Sequence, residues 1–194
     1  MIILLLFAFL LLAFALVFVH RAYRFHHRTV NEVIPFLRRF ALEELESLLD
    51  PREEEAFQQN LSTAQFAKAQ ISRIHLFREK LRCADHNASV LQDWAEYERE
   101  RTHVTHDEEA RANANALLDE CRDFRIAALW IKVQLNLWYF QLKLLPVRRV
   151  PFLSSLRKID SFDLLECYRQ LAGKAVSLAG SRGESYSLKF ADLL

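Results

Sequence analysis

ARANANALLDECRDFRIAALWIKVQLNLWYFQLKLL, residues 110–145, is the stretch that decides the fold. Apolar side chains recur through it at alternating spacings of four and three residues for about five heptads, the repeat of a helix that packs along another helix. The apolar positions are Ala110, Ala114, Leu117, Cys121, Phe124, Ala128, Ile131, Leu135, Trp138, Leu142 and Leu145. The stretch therefore predicts a long α-helix with one continuous packing face.

The preceding stretch supplies a matching face for this helix. Its apolar positions from residue 74 onward also alternate three and four residues apart, at Ile74, Phe77, Leu81, Ala84, Ala88, Leu91 and Ala95. Two such faces joined by a short polar segment predict an antiparallel helical hairpin. We expect its first helix over about 51–101 and its second over about 105–145, with a turn at 102–105.

Local signals place the ends of the hairpin helices. Asp50 can cap the first helix, and Pro51 suits the first helical position because an N–H there would have no helical partner. A break near Asn60–Ser62 is an alternative to one continuous first helix. Thr105 and Glu108 have the spacing of a capping box at the start of the second helix.

The flanking segments complete the predicted architecture. Further helices are expected over about 32–49 and 161–179, followed by a tail at 181–194 that stays disordered unless it docks. The chain has 3 Gly and 4 Pro among 194 residues and no alternating strand pattern, which predicts an all-α fold. We therefore expect a single N-terminal transmembrane helix, then a helical domain over 29–180 built on the long antiparallel hairpin.

Residues 1–28 predict a membrane anchor with a basic and aromatic boundary. Met1–Val19 contains no charged side chain, and a helix of that length spans roughly 28 Å, close to the hydrocarbon thickness of a bilayer. The run is longer than a signal-peptide core and has no basic segment before it, so we expect it to be retained. The residues predicted at the membrane interface are Arg21, Tyr23, Arg24, Phe25 and Arg28. The positive-inside rule then predicts a single-pass membrane protein whose C-terminal domain lies on the cytoplasmic (or mitochondrial matrix) side.

A second apolar stripe begins halfway along the second hairpin helix. Its members also alternate four and three residues apart, at Ile126, Trp130, Val133, Leu137, Phe140 and Leu144. At about 100° per residue, this stripe lies roughly 160° from the first, so the helix is apolar on two opposite faces here. The second face is expected to meet the first or last helix of the same chain, the membrane surface or a partner subunit.

Residues that carry chemistry in enzymes are not grouped into a recognisable site. His103, His106 and the carboxylates that follow form a His/acid cluster, but it falls at the predicted turn, where polar residues are expected. Cys121 lies on the packing face, which indicates a buried thiol rather than a nucleophile. The sequence has no phosphate-binding loop, no GxSxG motif and no zinc-protease motif. We predict that the protein is not an enzyme and has no cofactor, no metal and no small-molecule substrate.

These features together favour a structural role. The net charge of +1 lacks the basic excess of nucleic-acid-binding proteins, so the expected partners are membrane lipid and other protein subunits. We expect a non-catalytic accessory or scaffold subunit of a larger membrane protein assembly, such as a bioenergetic complex of a bacterial or mitochondrial inner membrane. The alternative is a free-standing, membrane-tethered adaptor or sensor that presents the helical hairpin to a soluble partner.

Overall fold

The computed structural model describes residues 29–144 and 164–194. Every regular element in these two ranges is helical, so the predicted all-α class is confirmed for this part of the chain. The predicted anchor, with Arg21, Tyr23, Arg24, Phe25 and Arg28, and residues 145–163 lie outside the described residues. Within the described ranges, no helix is both long and apolar enough to cross a bilayer.

The helices form a bundle around one long hairpin. In chain order the elements are α1 (Val30–Val33), a 3-10 turn (Ile34–Phe36), α2 (Leu42–Leu48), α3 (Pro51–Asn60), α4 (Thr63–Thr105), α5 (Glu108–Leu144), α6 (Leu164–Gly180) and α7 (Glu184–Leu193). Helices α4 and α5 pack against each other as the predicted hairpin. Helix α6 packs on α5, and α7 packs on α6.

The two predicted packing faces form the core of the hairpin. All the predicted apolar positions of α4 are buried, and so are those of α5 up to residue 142, apart from a half-buried Trp138. The α6 side chain Tyr168 joins this core, with ring centroids 5.5 Å from Phe124 and 4.5 Å from Phe40. Because each large apolar side chain contributes about 1.5–3 kcal/mol when fully buried, this layer holds the bundle together.

The hairpin turn lies at His106 and Asp107, so the predicted turn at 102–105 is wrong by a few residues. Thr105 is still helical and its hydroxyl bonds to carbonyls of the preceding turn, at 3.4 Å from that of Arg101. His106 takes a left-handed backbone conformation (φ 56°) that ends α4. The Asp107 carboxylate accepts a hydrogen bond from the Ala110 N–H at 3.1 Å, so Asp107 caps α5 instead of Thr105.

The predicted helix over 32–49 is wrong in its middle. Helical turns end at Phe36, residues 37–41 are extended, and α2 begins only at Leu42. Pro35 lies within the 3-10 turn, but its missing N–H and its ring affect only the turn before it, so Pro35 does not account for the non-helical residues that follow. The apolar pattern that predicted a helix over 32–49 is not followed at the centre of this stretch.

A buried asparagine holds the extended segment in place. Asn87 of α4 is fully buried, and its side chain donates to the Arg38 carbonyl at 2.8 Å and accepts from the Arg38 N–H at 2.9 Å. One side-chain amide thus makes hydrogen bonds to both backbone groups of Arg38, in place of the bonds that these groups would make in a helix. We call this pair of bonds the Asn87 clamp. A neighbouring contact of 3.0 Å joins His86 Nε2 to the Phe36 carbonyl.

The first hairpin helix is interrupted at the break that the sequence allowed. Asp50 caps α3 by accepting from the Arg52 N–H at 2.9 Å, which confirms the predicted start at Pro51. Ser62 and Gln65 then form a reciprocal capping box that starts a new helix. The predicted helix over 51–101 is therefore two helices, and the second continues to Thr105.

The C-terminal residues form a docked helix. Gly183 turns the chain between α6 and α7 with a φ of 143°, a conformation that glycine adopts readily. Phe190 of α7 is fully buried, and its ring centroid lies 5.1 Å from that of Trp94. The Phe40 N–H donates to the Leu193 carbonyl at 3.0 Å. The tail at 181–194 was expected to be ordered only if it docks, and it docks here as α7.

Candidate interaction surface

The second stripe of α5 is exposed along its whole length. The exposed fraction runs from 43% at Val133 to 75% at Leu144, and Leu129, at 63%, adds a seventh apolar side chain. The α5 stripe, as we call this set, consists of Ile126, Leu129, Trp130, Val133, Leu137, Phe140 and Leu144. Contiguous exposed apolar patches larger than a few hundred Å² are rare on monomeric soluble proteins, and they mark interaction sites.

The last helix does not cover the α5 stripe. Helix α6 packs on the buried side of α5, where the Tyr168 ring meets Phe124. No segment within residues 29–144 or 164–194 shields the stripe, as the exposed fractions show. Neither the first nor the last helix covers the stripe among the described residues, which leaves the membrane surface and a partner subunit as the expected occupants.

The side of α5 opposite the stripe is fixed by the core. Leu135 and Ala128 are fully buried there, and Ile131 is nearly so. The stripe therefore projects from a helix that is held along one complete face. Little conformational entropy remains to be lost in α5 when a partner binds, which favours affinity.

Cationic side chains border the stripe in the groove between α4 and α5. Ile126 and Leu129 line this groove together with Lys132, whose Nζ lies 2.6 Å from the Asp85 carboxylate. The groove continues past Asn136 to Arg82, which has no ion pair among the described residues. The charged residues that line the groove are six cations and three carboxylates, so this wall of the stripe carries a net positive charge.

A second cation locks the two hairpin helices together at the same groove. The Arg78 guanidinium donates to the Leu135 carbonyl at 3.1 Å and to the Asn136 side-chain oxygen at 2.7 Å. Its charge also lies over the Tyr139 ring, 5.0 Å from the centroid. These contacts hold α4 and α5 in register beside the stripe.

Charge divides α5 into two halves. Residues 108–123 contain five carboxylates and two arginines, whereas residues 124–144 contain no carboxylate and three cations, Arg125, Lys132 and Lys143. The apolar stripe coincides with the basic half. Its surroundings therefore favour an occupant that carries negative charge.

The His/acid cluster of the sequence serves the hairpin turn. His103 lies in the last turn of α4, His106 ends that helix, and the Asp107 carboxylate caps the next one. Across the described ranges, no group of three or more His, Cys, Asp or Glu side chains is placed to hold a metal ion.

The three cysteines, Cys83, Cys121 and Cys167, are free thiols. Cys121 is fully buried on the packing face, as its position in the repeat predicted. Burial raises the pKa of this thiol to about 12, so it is protonated at neutral pH. A protonated and inaccessible thiol is a packing group.

A buried ion pair escaped the sequence analysis. Glu98 is fully buried and its Oε2 accepts from the Arg182 guanidinium at 2.6 Å, while Trp94 Nε1 lies 3.3 Å from Oε1. The α4 repeat, continued from Ala95 by steps of three and four, places Glu98 and then Thr102 on the packing face. Continuing the repeat into the polar stretch would have revealed a buried carboxylate that needs a partner.

Comparison with known proteins found no match for this chain among protein families, curated proteins or solved structures. The role of the α5 stripe therefore has to follow from its own geometry. It is apolar, fixed from behind and bordered by cations, and these properties suit binding to another macromolecule.

Proposed function

We propose that this chain is a non-catalytic, membrane-anchored accessory subunit of a larger protein assembly. The observation that carries the proposal is the α5 stripe, seven large apolar side chains left at least 43% exposed on a helix whose opposite face is buried. An apolar row of this kind lowers solubility unless another molecule covers it.

The stripe has the dimensions of a specific interface. It extends from residue 126 to residue 144, which is roughly 27 Å of helix at about 1.5 Å per residue. A partner that covers the stripe and its polar rim removes area of the order of 800 Å² per side, the size of a standard stable interface. Trp130 and Phe140 are of the aromatic type that supplies much of the binding energy in such interfaces.

The sequence supports membrane attachment on one side of this bundle. The uncharged run Met1–Val19 and the arginines after it favour a retained anchor, with the bundle on the cytoplasmic or matrix side. Tethering to a bilayer raises the effective concentration of the stripe for a partner in the same membrane. A bioenergetic complex of a bacterial or mitochondrial inner membrane suits this topology.

Blue-native electrophoresis of gently solubilised native membranes tests the proposal. The wild-type chain should migrate in a band far above its own 22.8 kDa. A double variant, Leu137→Glu and Phe140→Glu, should no longer migrate in this band, because it places two charges on the stripe. The matched control is Val104→Glu, since Val104 is 78% exposed but lies in the last turn of α4, away from the stripe.

Two results would contradict the accessory-subunit role. Wild-type migration near 22.8 kDa plus detergent would instead favour the free-standing adaptor or sensor. Retention of the double variant in the high-mass band would show that the stripe is not the contact. Alkaline extraction of the membranes tests the anchor separately, because a peripheral protein would be released.

A further inference from the structure

We infer that the occupant of the α5 stripe is an amphipathic α-helix of another protein subunit, with acidic residues along the edge that faces the α4–α5 groove. The inference rests on the proposed function and names the chemistry of the partner. Three features of the surface lead to it: the spacing of the stripe, the sign of the bordering charges and the recess in which these charges lie.

The spacing of the stripe matches a helical occupant. Ile126, Trp130, Val133, Leu137, Phe140 and Leu144 repeat at four and three residues, the pattern by which one helix receives the side chains of another. A strand would instead present side chains with a period of two residues. The complementary helix needs about 18 residues to run alongside the stripe, at about 1.5 Å per residue.

The bordering charges favour an acidic partner over a second copy of this chain. Residues 124–144 contain cations but no carboxylate, and neither Arg82 nor Lys143 has an ion pair among the described residues. Two copies joined through the stripe would bring two faces of net positive charge together, because the Asp85 carboxylate of each copy is already paired with Lys132 and Arg125. A helix with Glu or Asp on its flank would instead complement both cations.

The recess of the cations favours a helix over a bilayer. Side chains of Lys132 and Arg125 are only 35% and 31% exposed in the groove, whereas Leu129 and Leu144 stand out at 63% and 75%. A carboxylate on a flexible side chain can enter such a groove beside the apolar row. The headgroup layer of a membrane would meet the projecting apolar side chains first and leave the recessed cations uncovered.

Site-specific photo-crosslinking in native membranes tests the inference on the full chain. A benzophenone amino acid replaces Leu137 at the centre of the stripe, and in a second variant it replaces Asn115, an exposed control on the same helix. The adducts are digested and sequenced by mass spectrometry. We expect the Leu137 adduct to lie on a partner segment with apolar residues spaced at three and four and with carboxylates flanking them, and no such adduct from Asn115.

Charge reversal provides the second arm. The double variant Arg82→Glu and Lys143→Glu should lower the yield of the Leu137 adduct about tenfold, since each lost and reversed surface pair contributes modestly. The control, Lys68→Glu and Lys174→Glu, changes the net charge equally at exposed positions away from the stripe and should leave the yield unchanged.

Any other adduct overturns the inference. A lipid adduct would assign the stripe to the bilayer, and an adduct to the same chain would assign it to a dimer. A partner segment without the apolar repeat or without acidic flanks, or no adduct at all, would equally refute it. The proposed function has its own readout, because the high-mass band on blue-native gels persists if the chain is a subunit that uses a different surface.

Discussion

Replacing Arg182 with alanine should lower the free energy of unfolding of the bundle by about 2–4 kcal/mol, because it strands the buried Glu98 carboxylate. The Arg182 side chain is 16% exposed and Glu98 is fully buried, with 2.6 Å between the guanidinium and Oε2. Removal of one partner from a fully buried pair costs about 3–5 kcal/mol. We expect less here, since Trp94 Nε1 still lies 3.3 Å from Oε1 and the Arg101 guanidinium lies 3.7 Å away.

Thermal unfolding followed by circular dichroism at 222 nm, with the chain in a mild detergent, measures the effect. A loss of this size corresponds to a fall in Tm of roughly 5–15 °C for a domain of this length. The control is Arg122→Ala, because Arg122 pairs with Asp119 at 3.1 Å but both side chains are 66% exposed. Exposed pairs of this kind contribute about 0–1 kcal/mol.

A second substitution separates the loss of the charge pair from general damage to the turn. Adding Glu98→Gln to the Arg182→Ala variant removes the stranded charge and should recover at least about 1 kcal/mol. Equal Tm losses for Arg182→Ala and Arg122→Ala would refute the reasoning, and so would a double variant that is less stable than Arg182→Ala alone.

Three further predictions follow from single residues. Asn87→Ala should cost about 1–3 kcal/mol, because it leaves both backbone groups of Arg38 without their partner, and it should speed tryptic cleavage after Arg38 relative to wild type. Burial raises the pKa of Cys121 from 9.0 to about 12, so above about pH 9 the native state keeps a proton that the unfolded chain loses, and the free energy of unfolding should fall as the pH rises. Urea titrations at pH 8 and pH 10 measure this fall, and Cys121→Ala should abolish the part of it that the thiol contributes. Gly183→Ala should lower Tm, because the backbone there has a φ of 143°, whereas Gly173→Ala should raise the stability by about 0.5–1 kcal/mol, because Gly173 lies in a helix with no atom within 4 Å of the added carbon. Thermal melting of the two variants should therefore show Tm changes of opposite sign.

Periodicity was sufficient to predict the hairpin and the buried face of each of its helices. Both long helices keep an apolar residue every three or four positions, so burial follows directly from helix geometry at Phe77, Leu91, Leu117 and Leu135. The second apolar row of α5 also follows from spacing, but its exposure in the bundle does not. The sequence left its occupant open, because an apolar row specifies burial but not the molecule that provides it.

Long-range polar contacts were beyond this kind of prediction. The Asn87 clamp joins residues 49 positions apart, and it converts a predicted helix into an extended segment around Arg38. Thr105 was predicted to cap α5 and Asp107 caps it in the structure, because the geometry of the turn decides between two good capping residues. Local propensity carries no information about such choices, because they depend on the folded neighbours.

The Asn87 clamp also determines how a mechanical load enters the bundle. Residues 34–48 run alongside α4, with Arg38 held by Asn87 and the Leu48 carbonyl held by Arg73 at 2.7 Å. A pull on the chain before residue 29 therefore acts along the side of the hairpin, between its tip and its base, and not at either end. Such a force loads these bonds in shear and applies a torque near the middle of the hairpin, so it would reorient the α5 stripe without changing the spacing of its side chains.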